Sequence, residues 1–207
     1  GEAAWAFSGS SVSLSDDGSV VAIGSLSGHV SIYQYIDNVW SRFGSDIDVN
    51  ATSGASVSLS DDGSIVAIGA QGNSGNGTES GHVRIFQNDN GSWQQIGQDI
   101  DGEAAGDGSG YSISLSDNGS IVAIGAYKND GNGKPDSGHV RIYKNDSGSW
   151  NQIGQDIDGE GTKDYSGIAV SLSSDGSVVA IGANGNEPSN RGHVRIYQNN
   201  SGNWNQI

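Results

Sequence analysis

Carboxylates and aromatic rings gather in the segments that we predict to be loops, and these residues are the best suited to bind a ligand. Carboxylates beside exposed rings can bind a sugar or a cation, or can supply oxygen ligands to Ca²⁺. An acidic, solvated rim without a ligand is the alternative interpretation. The candidate ligand- or partner-binding residues are Trp5, Phe7, Glu103, Asp107, Tyr111, Asp130, Asp136, Glu160, Asp164 and Tyr165.

The net charge limits the partners that these residues could serve. The chain carries 24 acidic and 9 basic residues, which gives a formal charge of −15. A field of this sign repels phosphate backbones and anionic lipids, so we expect no nucleic acid partner. No apolar run approaches the roughly 20 residues of a spanning helix, so we expect no membrane insertion. Protein or glycan partners are expected instead, and Ca²⁺ is the cofactor left open.

Motifs of common catalytic and metal sites are absent. The chain has no His-Glu-x-x-His, no Gly-x-Ser-x-Gly and no P-loop, and it has no cysteine to ligate zinc. Paired carboxylates could serve a glycoside hydrolase, but that chemistry requires two acids at a defined separation. We therefore predict no catalytic residue, no metal-ligating residue and no enzyme.

The four histidines mark an internal repeat. Each follows a glycine, and successive histidines are 53, 57 and 54 residues apart. This period suits a four-stranded propeller blade of roughly 40 to 50 residues or slightly more, and it is too long for a β-helix rung. We divide the chain into repeats of about 1–48, 49–101, 102–158 and 159–207, within a single propeller domain or a fragment of one.

The residue pattern within each repeat predicts four strands. In the second repeat, Ser56–Ser60 alternates serine with apolar residues, an Asp-Gly turn follows, and Ile65–Ile68 is uniformly apolar. A third strand begins at His82, and a polar turn leads to a Trp and an outer strand from Gln94 to Asp101. The predicted fold is all-β, a propeller of four-stranded antiparallel blades, either closed with four blades or part of a larger ring.

Strand alternation assigns the connections to the two faces of the propeller. Loops after the second and fourth strands emerge on one face, and the short Asp-Gly and Asn-Gly turns emerge on the other. The loops after the second strand vary in length, with three, eleven, twelve and nine residues in successive repeats. Because scaffolds place recognition in variable loops, we expect any ligand on that face. The histidines begin the third strands, far from the axis, so we expect a hydrogen-bonding role within each blade.

The repeat resembles the FG-GAP repeat of integrin α-subunit propellers. That family has Phe-Gly, an alternating strand, an apolar strand ending in Gly-Ala-Pro, and Gly-x-Val-x-Val-Tyr. The corresponding segments here are Ser109-Gly110, Ile113–Leu115, Ile121–Ile124, Gly125-Ala126 and Gly138–Tyr143.

This resemblance covers all four repeats, but it departs from the family at several positions. Serine replaces the Phe, the Pro is absent, and the calcium loop is shortened to Ser-Asp-Asp-Gly-Ser, which offers too few oxygens for Ca²⁺. The resemblance implies an extracellular, non-enzymatic propeller module for adhesion, ligand binding or surface assembly. A lectin-like carbohydrate-binding module is the alternative, and either self-association or a longer parent chain is expected.

Overall fold

The computed structural model describes residues 7–49, 56–185 and 191–207, and these are almost entirely β-structure. Their strands form four antiparallel sheets that follow one another along the chain, one in each repeat. The prediction of an all-β propeller with four-stranded antiparallel blades is confirmed. The candidate residue Trp5 lies outside the described residues.

Strand positions repeat closely from blade to blade. The first two blades contain β1 (Ser11–Leu14), β2 (Val20–Gly24), β3 (His29–Ile36), β4 (Val39–Arg42), β5 (Ile47–Asp48), β6 (Ser56–Leu59), β7 (Ile65–Ala70), β8 (His82–Asp89), β9 (Ser92–Gln95) and β10 (Ile100–Asp101). The last two contain β11 (Ser112–Leu115), β12 (Ile121–Ala126), a 3-10 turn (Gly131–Gly133), β13 (His139–Asp146), β14 (Ser149–Gln152), β15 (Ile157–Asp158), β16 (Ala169–Leu172), β17 (Val178–Ala183), β18 (His193–Asn200) and β19 (Asn203–Gln206).

The first hairpin of every blade is closed by side-chain hydrogen bonds within its turn. In blade one, Asp17 Oδ1 accepts a hydrogen bond from the Ser19 amide at 2.8 Å and another from Ser15 Oγ at 2.8 Å. In blade three, Asn118 takes the same place and accepts from the Ser120 amide at 3.0 Å. The turn therefore needs an oxygen acceptor rather than a negative charge.

The outer strand of the blades differs from the sequence prediction. A single strand from Gln94 to Asp101 is wrong, because β9 ends at Gln95 and the short β10 begins at Ile100, and both pair with β8. Gly97 lies in the break with a φ of 79°, and a Cβ there would come within 2.7 Å of the Gly148 carbonyl oxygen. The chain bends at this glycine because the next blade approaches its backbone closely.

The hydrophobic core of the described residues consists of three clusters, each between two adjacent blades. We call the side of a blade that packs on the preceding blade its leading face, and the opposite side its trailing face. Between blades two and three, Val83 and Ile85 of the trailing face pack with Leu115, Ile124 and Trp150 of the leading face. Burying these apolar side chains stabilises each blade only through its neighbour.

The two terminal faces of the series are exposed. On the leading face of blade one, Val12 is 65% exposed and Trp40 is 45% exposed. On the trailing face of blade four, Val194 is 66% exposed, whereas its counterpart Val83 in blade two is fully buried. Within the described residues, the four blades therefore form an open series in which blade one does not cover blade four.

Candidate functional site

The long loops and the connections between blades lie together on one face of the propeller, as the strand alternation predicted. The connection 102–111 runs beside the loop of blade two, where the Ser109 amide donates a hydrogen bond to the Ser80 carbonyl at 3.0 Å. At the next junction the Ser166 amide donates to the Ser137 carbonyl at 2.9 Å. We call this side of the molecule the loop face.

A cleft of about 520 Å³ opens on the loop face between blades two and three. Three segments meet there, namely the loop of blade two, the following connection and the loop of blade three. Five of its side chains are acidic and one is a lysine, so the cleft attracts cations and repels phosphate groups. This acidic cleft is lined by Glu79, Glu103, Ala104, Ala105, Gly106, Asp107, Lys128, Asn129, Asp130 and Asp136.

Two of the predicted binding residues hold their own connections in shape. Asp107 is 4% exposed, and its Oδ2 accepts hydrogen bonds from the Ala104 amide at 3.0 Å and from Asn129 Nδ2 at 2.9 Å. Asp164 is 3% exposed, and its Oδ2 accepts from the Gly161 amide at 2.6 Å. Because these carboxylates are buried and bonded to backbone, they present little surface to a ligand. Asp107 thereby positions one wall of the cleft, whereas Asp164 shapes the connection at the next junction.

The acids of the blade-three loop are more open. Asp130 is exposed and Asp136 is half-buried, and the Asp136 amide donates to Asp130 Oδ1 at 2.9 Å. Asp136 has a φ of 52°, which turns the loop back toward the cleft. Of the predicted residues, the structure therefore brings Glu103, Asp107, Asp130 and Asp136 together around one cleft.

A histidine and two carboxylates converge beside the acidic cleft. His139 Nδ1 lies 3.8 Å from Glu103 Oε2 and 3.9 Å from Asp156 Oδ2, and the three donor atoms all lie within 4.8 Å of one another. Glu103 comes from the connection after blade two, and the other two residues belong to blade three. We call this group the junction triad, and Glu103 belongs to both the triad and the acidic cleft.

The triad histidine is held in its neutral form. His139 is 1% exposed, and burial, with a further contribution from the Arg141 charge, lowers its pKa to about 4. Burial also raises the pKa of Glu103, although Arg141 opposes this shift. Arg141 Nη1 is 3.5 Å from Glu103 Oε1, and its Nη2 donates to the Asp101 carbonyl at 2.8 Å. A neutral imidazole beside carboxylates is the protonation state that a metal ligand requires.

Blade two contains a related group with a different arrangement. His82, Asp99 and Asp101 also place their donor atoms within 4.8 Å of one another. However, Arg84 makes a two-point hydrogen bond to Asp99, at 2.9 Å from Nε and 2.7 Å from Nη2. This pairing occupies the oxygens that a cation would need.

The other predicted residues are spread over the loop face. Glu160 is the counterpart of Glu103 at the following junction, where its Oε1 is 3.9 Å from Arg195 Nη1. Tyr111 and Tyr165 flank Tyr127, with ring centroids 4.4 Å and 6.1 Å from its centroid. Phe7 is 58% exposed, and no cleft that we describe includes it.

His139 and Asp156 were not among the residues selected from the sequence. The expectation of a hydrogen-bonding role within each blade overlooked that His29, His82 and His139 each pair in register with an Asp-Ile-Asp segment. His139 lies opposite Asp158, and His82 lies opposite Asp101. The sequence did contain a signal for these two residues. Gly-His and Asp-Ile-Asp recur together in the repeats, and this recurrence predicts that the two segments form adjacent strands.

Comparisons with known proteins support the fold and name no family. No protein-family model and no curated protein sequence matches the chain. A solved structure of a putative 6-phosphogluconolactonase from Bacteroides fragilis is 18% identical, with a TM-score of 0.53, over 76% of this chain and 40% of that one. Hydrazine synthase from Kuenenia stuttgartiensis is 14% identical, with a TM-score of 0.62, over 100% of this chain and 50% of that one.

These comparisons correct the function predicted from the sequence. Both similar structures carry the names of enzymes, and neither name refers to adhesion, surface assembly or carbohydrate binding. The prediction of a non-enzymatic adhesion or surface-assembly module is therefore wrong. The prediction failed because a propeller repeat determines the scaffold, whereas function depends on the residues placed on that scaffold. At these identities the likeness shows the fold alone.

A membrane-spanning helix is not part of the described structure. Within residues 7–49, 56–185 and 191–207, no helical segment combines the length and the apolarity needed to cross a bilayer.

Proposed function

We propose that the junction of blades two and three binds a divalent cation through Glu103, His139 and Asp156. The observation that carries this proposal is the convergence of three potential donor atoms within 4.8 Å of one another. The buried imidazole is neutral near pH 7, so it offers a lone pair without first losing a proton.

The donor set favours a transition metal over calcium. One imidazole nitrogen and two carboxylates suit Zn²⁺, Mn²⁺ or Fe²⁺, whereas Ca²⁺ takes six to eight oxygen ligands. Three protein donors also leave coordination positions open for water or a ligand. Calcium, which the sequence left open as a cofactor, is therefore the weaker candidate at this site.

Local charge favours a cation at the triad. Glu103 and Asp156 contribute two negative charges and Arg141 contributes one positive charge, so the group keeps a net negative charge while His139 is neutral. Asp158 adds to this imbalance, and burial raises its pKa. A bound cation would offset this charge, which the protein alone leaves uncompensated.

The acidic cleft extends the site toward small ligands with several oxygen atoms. Glu103 lines the cleft and belongs to the triad, so a cation held there would face ligands in the cleft. Neutral hydroxylated molecules fit this charge pattern best, because the five carboxylates outnumber the single lysine and would repel a phosphorylated ligand. A phosphorylated substrate, such as the name of the B. fragilis protein implies, does not suit this cleft.

Calorimetric titration of the chelator-treated chain with Zn²⁺, Mn²⁺ and Ca²⁺ tests this proposal. We expect one site per chain that prefers Zn²⁺ or Mn²⁺ over Ca²⁺, and we expect Glu103→Gln to weaken binding more than about tenfold. Glu160→Gln is the matched control, because Glu160 occupies the same place at the next junction, lies 3.9 Å from Arg195 and belongs to no cluster of three potential ligands within the described residues. Unchanged affinity in Glu103→Gln, or no binding by the wild type, would rule the site out.

Metal-assisted hydrolysis of a neutral ester or lactone is a second candidate. It is favoured by the position of the triad at the edge of an open cleft, where a metal-bound water would face a bound substrate. The measurement is hydrolysis of uncharged lactones by the zinc-loaded chain, with Glu103→Gln as the negative control. Metal binding without turnover would leave the first proposal in place and remove this one.

Membership of an FG-GAP-type family and an extracellular location stay predictions from the sequence. The shared spacing of the strands, the Gly-His position and the terminal Tyr support the first. The second rests on the resemblance to integrin-type propellers.

A further inference from the structure

In the described part of the chain, the three junctions between adjacent blades are built from the same contacts. The Trp of each later blade donates its indole N–H to a carbonyl of the preceding blade. The three bonds are Trp93 to Phe43 at 2.7 Å, Trp150 to Ile96 at 2.9 Å and Trp204 to Ile153 at 2.9 Å.

Backbone hydrogen bonds between the Asp-Gly turns also recur at every junction. The Asp16 amide donates to the Asp61 carbonyl at 2.9 Å, the Asp61 amide to the Asp117 carbonyl at 2.9 Å, and the Asp117 amide to the Ser174 carbonyl at 3.0 Å. Each turn glycine lies against the apolar side chain that opens the second strand of the preceding blade. A Cβ on Gly63 would lie 2.7 Å from Val20 Cβ.

The leading face of blade one has the same residues that form these contacts in the later blades, but here they are exposed. Val12 and Leu14 are 65% and 60% exposed, whereas Val57 and Leu59 at the same positions of blade two are 7% and 8% exposed. Trp40 is 45% exposed, whereas Trp150 and Trp204 at the same position of later blades are 3% and 4% exposed. A Cβ built on Gly18 would meet nothing within 4 Å, unlike its counterparts in the later turns.

The trailing face of blade four likewise exposes the residues that are covered on the trailing faces of the earlier blades. Val194 is 66% exposed and Ile196 is 41% exposed, while the equivalent Val140 and Ile142 of blade three are 0% and 1% exposed. Ile207 is 70% exposed, and it corresponds to the residues whose carbonyls accept the tryptophan bonds at the other junctions.

We infer that the leading face of one copy of this chain packs on the trailing face of a second copy. Trp40 then donates to Ile207, the Ser174 amide donates to the Asp16 carbonyl, and Gly18 covers Val178. These contacts reproduce those of the internal junctions. Since every copy has one face of each kind, two copies meet twice and complete a ring of eight blades, the upper end of the common range.

The negative charge of each copy opposes this association and makes it depend on salt concentration. Each copy carries a formal charge of −15, so two copies repel each other over distances comparable to the Debye length. The contact itself is apolar, with Val12, Leu14 and Trp40 meeting Val194 and Ile196. The dimer should therefore strengthen as salt is added, which is the reverse of an interface formed by ion pairs.

Sedimentation of the 207-residue chain over a range of concentrations and salt tests the inference. We expect a species of twice the 21.2 kDa of one chain that becomes more abundant with added salt. Val12→Asp should abolish it by placing a charge on the leading face, and Val194→Asp by placing one on the trailing face. Leu26→Asp, which changes an exposed apolar residue on the loop face, should leave it unchanged. Circular dichroism would verify that each variant is folded.

A mixing experiment tests the pairing of unlike faces. The Val12→Asp chain keeps an intact trailing face, and the Val194→Asp chain keeps an intact leading face, so an equimolar mixture should regain a dimer joined once. Three outcomes would overturn the inference. These are a monomeric wild type at every salt concentration, a dimer formed by Val194→Asp alone, and wild-type assemblies that grow beyond two copies.

Discussion

The junction of blades two and three differs from the same region of blade two, although both derive from one repeat. Arg84 pairs with Asp99 of its own blade and is 22% exposed, whereas Arg141 turns toward Glu103 and is 7% exposed. Among the residues that the structure describes, Asp156 therefore lies beside His139 and pairs with no arginine. The acidic residue Glu103 in the connection thus determines the partner of the arginine. Without such a residue the arginine pairs within its own blade, and with it the arginine joins a network between two blades.

The comparison shows how a repeat protein can create one distinct site from identical parts. The histidine, the arginine and the outer aspartate occur in both blades, so none of them alone distinguishes the two places. The connection supplies the distinguishing residue, since Glu103 has no acidic counterpart among residues 49–55. Connections between repeats are also where sequence can change without disturbing strand pairing.

Replacing the two arginines should expose the largest difference between the regions. Arg141→Ala removes a buried side chain that bonds the Asp101 carbonyl and lies over the Tyr143 ring, so we expect a loss of about 2–4 kcal/mol in the free energy of unfolding. Arg84→Ala breaks a partly exposed pair and should cost less than about 1 kcal/mol. Urea denaturation measures both, and equal losses would contradict the distinction.

Lowering the pH should separate the two histidines. His139 has a pKa of about 4 in the folded chain, against 6.5 for an ordinary histidine, so the unfolded chain takes up its proton first as the pH falls. The associated stability is complete above about pH 6.5, declines between 6.5 and 4, and amounts to about 3 kcal/mol. The groups around His139 are Glu103, Asp156 and Arg141.

The measurement is the pH dependence of urea denaturation in the presence of a chelator. His139→Gln should flatten the slope between pH 6.5 and 4, and His82→Gln should flatten it less, because burial lowers the pKa of His82 by a smaller amount. A wild-type slope that persists in His139→Gln would assign the pH dependence to other groups.

Introducing an acidic residue at the position of Glu103 in the preceding connection should have the smallest effect. It would test most directly whether this residue accounts for the difference between the two regions. Asn50 lies outside the described residues, and it holds the sequence position of Glu103 in the preceding connection. Asn50→Glu should draw Arg84 away from Asp99 and free that carboxylate, adding a second, weaker metal site. Calorimetric stoichiometry should rise from one ion toward two, and a stoichiometry that stays at one would show that the connection alone is insufficient.

The sequence was sufficient for the blades because each strand carries its own periodicity. Serine alternating with apolar residues predicted the first strand, and an unbroken apolar run predicted the second. The division of the outer strand was not predictable in this way, because Gly97 bends where another blade approaches, and that contact is absent from the local pattern.

The site was predictable only in part. Glu103, Asp130 and Asp136 follow from the assignment of loops to a face, whereas His139 and Asp156 become neighbours only through strand register. Asp107 resembles other surface acids in the sequence, yet its hydrogen bonds to backbone and to Asn129 bury it. Composition cannot separate an acid that shapes a loop from one that meets a ligand.

The hydrogen bonds between successive Asp-Gly turns have a consequence for how this scaffold can diversify. They use only backbone atoms, and Ser174 serves as well as the aspartates, so the spacing of the blades depends little on side-chain identity there. All of them lie opposite the loop face, where the loops contain three, eleven, twelve and nine residues. Insertions can accumulate on one side of the disc while the angle between blades is set on the other, so new specificities can evolve without a cost in architecture.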